Sequence, residues 1–160
     1  MTPEITDAVT AKLAELGLTL PQAAAPVAAY VPTVEVGGLL HVSGQLPFVD
    51  GHLVRGTLGK DVSLEQGQAA AQACALMLLA QVKAALGGSL DRVERVVKLG
   101  AFIASTADFT DQPKVANGAS ELMVAAFGEA GKHARSAVGV PVLPLGAAVE
   151  VDAIFALRAT

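Results

Sequence analysis

Near the end of the chain, a guanidinium and two carboxylates have the types and spacing for acid–base chemistry. In the stretch VEVDAIFAL side chains alternate between faces of a strand. Val149, Val151, Ala153, Phe155 and Leu157 therefore share one side, and Glu150, Asp152 and Ile154 the other. A two-residue rise puts the two carboxylates roughly 7 Å apart. Arg135 begins the preceding strand, and a hairpin about Val142-Leu143 would bring it opposite or nearly opposite Glu150. Spacing alone leaves two readings open. One is a cross-strand ion pair on a solvated face, worth a few tenths to about 1 kcal/mol. In the other, the guanidinium binds a substrate carboxylate through two parallel hydrogen bonds while Glu150 orients a water.

Other polar residues are less specific. The segment SGQLP, Ser43 to Pro47, ends a strand with a hydroxyl, a glycine and an amide before a proline, and turn chemistry alone accounts for that composition. Tyr30, the only tyrosine, is equally compatible with packing beneath an exposed hydroxyl. His41, His52 and His133 lie far apart, and no two share metal-ligand spacing with Cys74 or an acidic pair, so no metal site is expected. Cys74 falls within an apolar helix and reads as a small buried residue rather than a nucleophile. Neither a glycine-rich phosphate loop nor a nucleophile elbow is present, which removes support for phosphoryl transfer and serine hydrolysis.

The elements that must position these residues follow from periodicity. Thr2 can cap a first helix with Pro3 at its first position, and Ile5, Val9, Leu13 and Leu16 repeat at helical spacing up to Gly17. An extended, proline-containing connection leads to the core near Ala29. Gly37-Gly38 marks a hairpin within TVEVGGLLHVS, and Asp50-Gly51 a second turn. Leu64 to Leu86 is free of proline and dense in alanine and leucine, as a long central helix requires. A buried strand from Val93 to Ile103, a helix capped by Asp108 or Asp111 and ending near Gly128, and strands at 135–140 and 148–157 complete the order.

A chain of 160 residues suits one domain, and 52% apolar against 16% charged residues implies that some apolar surface is buried between subunits. A formal charge of -4 offers no broad footprint for nucleic acid. One cysteine cannot form an intrachain disulfide, and the start lacks the basic region and apolar core of a secretory signal. The longest apolar run, Ala73 to Ala80, is too short to cross a bilayer, so a soluble cytoplasmic protein is expected.

Taken together, AYVPTVEVGGLLHVSGQLP, LDRVERVVKLGAFIASTADF and HARSAVGVPVLPLGAAVEVDAI resemble the Rid (reactive intermediate deaminase), or YjgF-like, family from about Ala29 to the C-terminus. That resemblance implies a chorismate mutase-like α+β subunit, a mixed sheet packed against two main helices, that trimerises with ligand clefts between subunits. It divides the chain into a helical extension and linker at 1–28 and a YjgF/Rid-like domain at 29–160. By the same resemblance, Arg135 binds the carboxylate of a 2-imino or enamino acid, Glu150 positions the hydrolytic water, and Tyr30, Ser43 and Gly44 line the cleft. Neither a metal nor an organic cofactor is implied, and the partners are a small carboxylate ligand and further copies of the chain. A binding or regulatory trimer without turnover is the alternative, and an endoribonuclease fits the acidic composition least. Two positions depart from the family pattern. Ala137 stands where deaminating members often carry cysteine, and His133 where proline is usual. The asparagine expected in the preceding helix has no secure match, because Asn117 lies about a turn away.

Overall fold

A computed structural model describes residues 7–26 and 29–160. The expected cap at Thr2 and Pro3, and the junction between residues 28 and 29, lie outside the described residues. Helix α1 spans Ala8–Glu15 and is capped by Asp7, whose extended backbone (φ -76, ψ 166) stops the helix there and whose Oδ1 accepts from the Thr10 amide at 2.7 Å. Leu13 is fully buried in the main core, so this arm packs as part of the fold.

Strands β1 (Thr33–Val36) and β2 (Leu39–Gln45) form the expected hairpin, with Gly37 and Gly38 both at positive φ. A small ribbon follows, β3 (Phe48–Val49) and β4 (His52–Leu53), turning at Asp50 and Gly51. Helix α2 (Leu64–Ala85) opens with a reciprocal cap: the Ser63 hydroxyl accepts from the Gln66 amide and the Gln66 side chain accepts from the Ser63 amide. Strand β5 (Val93–Ala104), helix α3 (Gln112–Phe127), strand β6 (Ala134–Val140) and strand β7 (Val149–Leu157) complete the chain. Asp111 occupies the cap position of α3 without a side-chain hydrogen bond to it.

The five long strands make one mixed sheet in the order β1-β2-β7-β5-β6, antiparallel except for the β5–β6 pair. Strand β7 lies at its centre and alternates between buried and half-buried residues along its length. Its buried side, from Val149 to Leu157, packs with Leu78, Leu79, Val82 and the α2 alanines in a core that α3 closes. The alanines keep α2 low over the sheet, and Gly118 lets α3 approach it closely, since a Cβ there would strike the Gln68 backbone carbonyl. The opposite side of the sheet carries no described helix and leaves Val34, Val36 and Val138 exposed.

One expectation fails. Strands β6 and β7 do not pair, because β5 runs between them and pairs with both. The helix α3 connecting β5 to β6 is a crossover, which delivers β6 parallel to β5 at the sheet's edge. The proline-rich segment between β6 and β7 spans this gap instead of closing a hairpin. Arg135 accordingly lies beside Leu99, and Glu150 beside Phe102.

Candidate functional site

Glu150 is held by the centre of the sheet and faces away from the helices. Across β2 the ladder is interrupted between Val42 and Gln45, and the bulge so formed carries Ser43 and Gly44. Gly44 leaves room for the carboxylate where it lies: a Cβ would come within 2.6 Å of Glu150 Oε1 and displace it. Burial, followed by the charge of nearby Asp152, pushes the Glu150 carboxyl above its ordinary value. Asp152 is raised as well, by burial, with a hydrogen bond from the Gly100 amide and the charge of Lys98 acting the other way. Among the described residues Glu150 forms no salt bridge. The Ser43 hydroxyl is buried and has no hydrogen-bond partner among the described residues. Ser43, Gly44 and a half-exposed Tyr30 line one cavity of about 140 Å³. Cys74 is buried behind Val149, its thiol raised well above the usual range by burial and by the charge of Glu150, and is no nucleophile in this state.

Arg135 belongs to the other side of the sheet. Residues paired directly across strands share a face, and the row Arg135, Leu99, Ala153 is the helix-facing one. The guanidinium reaches α3, where Nη1 donates to Asn117 Oδ1 at 2.9 Å and to Ser120 Oγ at 3.1 Å, and Nη2 donates to the Pro113 carbonyl at 3.3 Å. Among the described residues these bonds leave the Nε hydrogen and one on Nη2 uncommitted, donors that a carboxylate can accept. His133 steadies the arrangement. Its Nδ1 must donate to the Gly131 carbonyl at 2.6 Å, which fixes the tautomer and leaves Nε2 to accept the Ser120 hydroxyl at 2.8 Å. A hydrogen-bonded chain thus runs from the Gly131 backbone through His133 and Ser120 to Arg135.

The structure therefore brings Tyr30, Ser43 and Gly44 to one cavity, sets Glu150 against Gly44, and places Arg135 apart on the edge strand. Asn117 and Ser120 were not read as site residues, although their i, i+3 spacing places both on one face of α3, the signal that could have found them. Among the described residues, no three His, Cys, Asp or Glu side chains converge as a metal site would require.

The family described as "YjgF/chorismate mutase-like, putative endoribonuclease" matches residues 10–157. The chain belongs to this YjgF family. A curated relative, Protein TCP17 of Trypanosoma cruzi, is 56% identical over 94% of both chains. Among solved YjgF-like structures, the Agrobacterium tumefaciens protein Atu1372 is 49% identical, with a TM-score of 0.89 over 94% of this chain and 93% of its own. RidA from an Antarctic Psychrobacter is 29% identical, with a TM-score of 0.59 over 85% of this chain and 94% of its own. The YjgF/chorismate mutase-like fold, a mixed sheet with three helices, is thereby established for the chain. No described helix is long and apolar enough to cross a membrane.

Proposed function

We propose that the chain hydrolyses reactive 2-imino and enamino acids to 2-oxo acids and ammonia, at a cleft completed by two copies of itself. The observation that carries this reading is Glu150: half-buried, raised in pKa, free of any salt bridge among the described residues, and set against Gly44 of the bulge. A carboxylate spent in an ion pair would favour binding without turnover, whereas one left free suits a group that must take a proton. Within one subunit Arg135 and Glu150 lie two strands and three residues of register apart, roughly 14 Å between backbones, on opposite faces of the sheet. The reading therefore requires the edge strand of one copy to meet the bulge of another, as in the trimer that the family resemblance implies. A relative of this family carries the name RidA, in keeping with the reading.

In the reaction, Arg135 holds the ligand carboxylate and neutralises it. Glu150 accepts a proton from water as the water oxygen bonds to the C=N carbon and passes it to nitrogen, giving the carbinolamine; a second transfer, from the carbinol hydroxyl to nitrogen, breaks the C–N bond and yields ammonia and the 2-oxo acid. No covalent intermediate is needed. The test is ammonia release from an imine generated in place by an amino acid oxidase. Wild-type protein should accelerate release, and Arg135→Ala should abolish the acceleration while the oligomer persists. An imine lifetime unchanged by wild-type protein across several side chains defeats the reading for those substrates.

Ala137, in place of the cysteine often found in deaminating relatives, favours a second reading, in which the same residues bind a carboxylate and release nothing. Ligand-dependent protection against heat without ammonia release would select it.

A further inference from the structure

The cavity beside Ser43 and Gly44 has one wall formed by the linker after α1. Ala24, Ala25 and Pro26 of the linker after α1 line it, facing Phe48 and Met77. The linker is latched there by side chains. Gln81 of α2 donates from Nε2 to the Ala24 carbonyl at 2.7 Å and to Gln45 Oε1 at 3.2 Å, and Gln45 donates from Nε2 to the Ser43 carbonyl at 3.0 Å. Both glutamines are more than nine-tenths buried, at 4% and 6% exposure. A buried amide is retained where its hydrogen bonds are made, so the latch specifies one linker position relative to the bulge. At its other end the arm is fixed by Asp7, which accepts from the Leu90 amide at 3.1 Å and lies 3.7 Å from Lys83 Nζ.

Ser43 joins this latch to the cleft: its carbonyl ends the amide chain and the residue lines the cavity, its hydroxyl buried and without a hydrogen-bond partner among the described residues. The remaining surface of the cavity is mainly apolar and its volume is about 140 Å³, close to the ~150 Å³ that holds a benzene-sized group.

We propose that the linker Ala24–Pro26, latched through Gln81 and Gln45 to Ser43, is the wall that determines specificity, restricting the ligand to apolar side chains of about benzene size or smaller. This rests on the deaminase reading only for the identity of the ligand backbone. A carboxylate bound at Arg135 without turnover would be selected by the same wall. Branched aliphatic side chains match the cavity, and charged ones would meet a surface that cannot pair them.

Binding of two 2-oxo acids, pyruvate and 4-methyl-2-oxopentanoate, tests the wall directly. Tyr30, the only tyrosine in a chain without tryptophan, lines the cavity and reports occupancy through its emission. Wild-type protein should prefer the larger acid. Ala24→Leu, which fills the cavity from the linker side, should lower that preference at least tenfold, chiefly by weakening 4-methyl-2-oxopentanoate. Gln81→Leu, which releases the latch, should flatten the preference without abolishing pyruvate binding, and it decides the matter if the first variant fails to fold. Equal effects on both acids in folded variants overturn the wall and leave the carboxylate site standing. Failure of wild-type protein to bind either acid overturns both the carboxylate reading and the wall built on it.

Discussion

A base that takes a proton from water and later returns it works best when its pKa approaches the working pH. Burial and Asp152 move Glu150 in that direction. The acid limb of the deamination profile should therefore lie above the ordinary carboxylate range, and Asp152→Asn should shift it to lower pH by removing the second cause. Glu150→Gln should lower kcat by about 10²–10⁴ while 2-oxo acid binding survives. The linkage to stability has a definite sign: a carboxyl raised in the fold contributes fully below its unfolded value, and that contribution is lost as pH rises through the folded one. Both carboxylates were legible from strand alternation. Asn117 and Ser120 were not, because the reach of an arginine to a neighbouring helix depends on a crossover that no local pattern displays.

Asp7 is the residue on which the placement of a whole element depends. It caps α1, accepts from the Leu90 amide and the Thr10 hydroxyl, and lies near Lys83. Burial works against its charge, yet the bonds from Thr10 and Leu90, together with Lys83, outweigh it and hold the carboxyl below its usual value. Asp7→Ala should destabilise the fold by about 1 kcal/mol for the lost cap and by ~1–3 kcal/mol more for the unpaired Leu90 amide, measured by urea unfolding. Here the sign is opposite. The contribution is present above the unfolded carboxylate value and lost as pH falls through the folded one, so wild type and variant should converge in acid. Elements whose signals are local, such as the Gly37-Gly38 hairpin and α2, could be read from the sequence to within a residue or so. The true neighbours of β6 and β7 could not, since a proline-rich segment between two strands resembles a hairpin turn locally. Strand, helix, strand in succession is the stronger signal, and it prescribes a parallel neighbour.

At the scale of the molecule, the helix-free face of the sheet and its two open edges invite association. Val34 is 51% exposed, Val36 60% and Val138 47%, apolar side chains turned outward on that face at both edge strands. If this face closes a trimer, Val138→Asp should yield monomers by light scattering and remove activity even though Arg135 and Glu150 are intact. Which strands form the edges of that face could be known only once the crossover was placed. Strand β7 has a consequence for how this protein can diverge. Every second residue belongs to the core and those between to the open face, so the strand tolerates exchange of letters but not a change of length. One residue inserted before Val149 would turn Glu150 and Asp152 inward and five apolar side chains outward in a single step. Descendants should therefore vary in the linker and in the turn before Pro144, and keep the count of residues from Val149 to Leu157 unaltered.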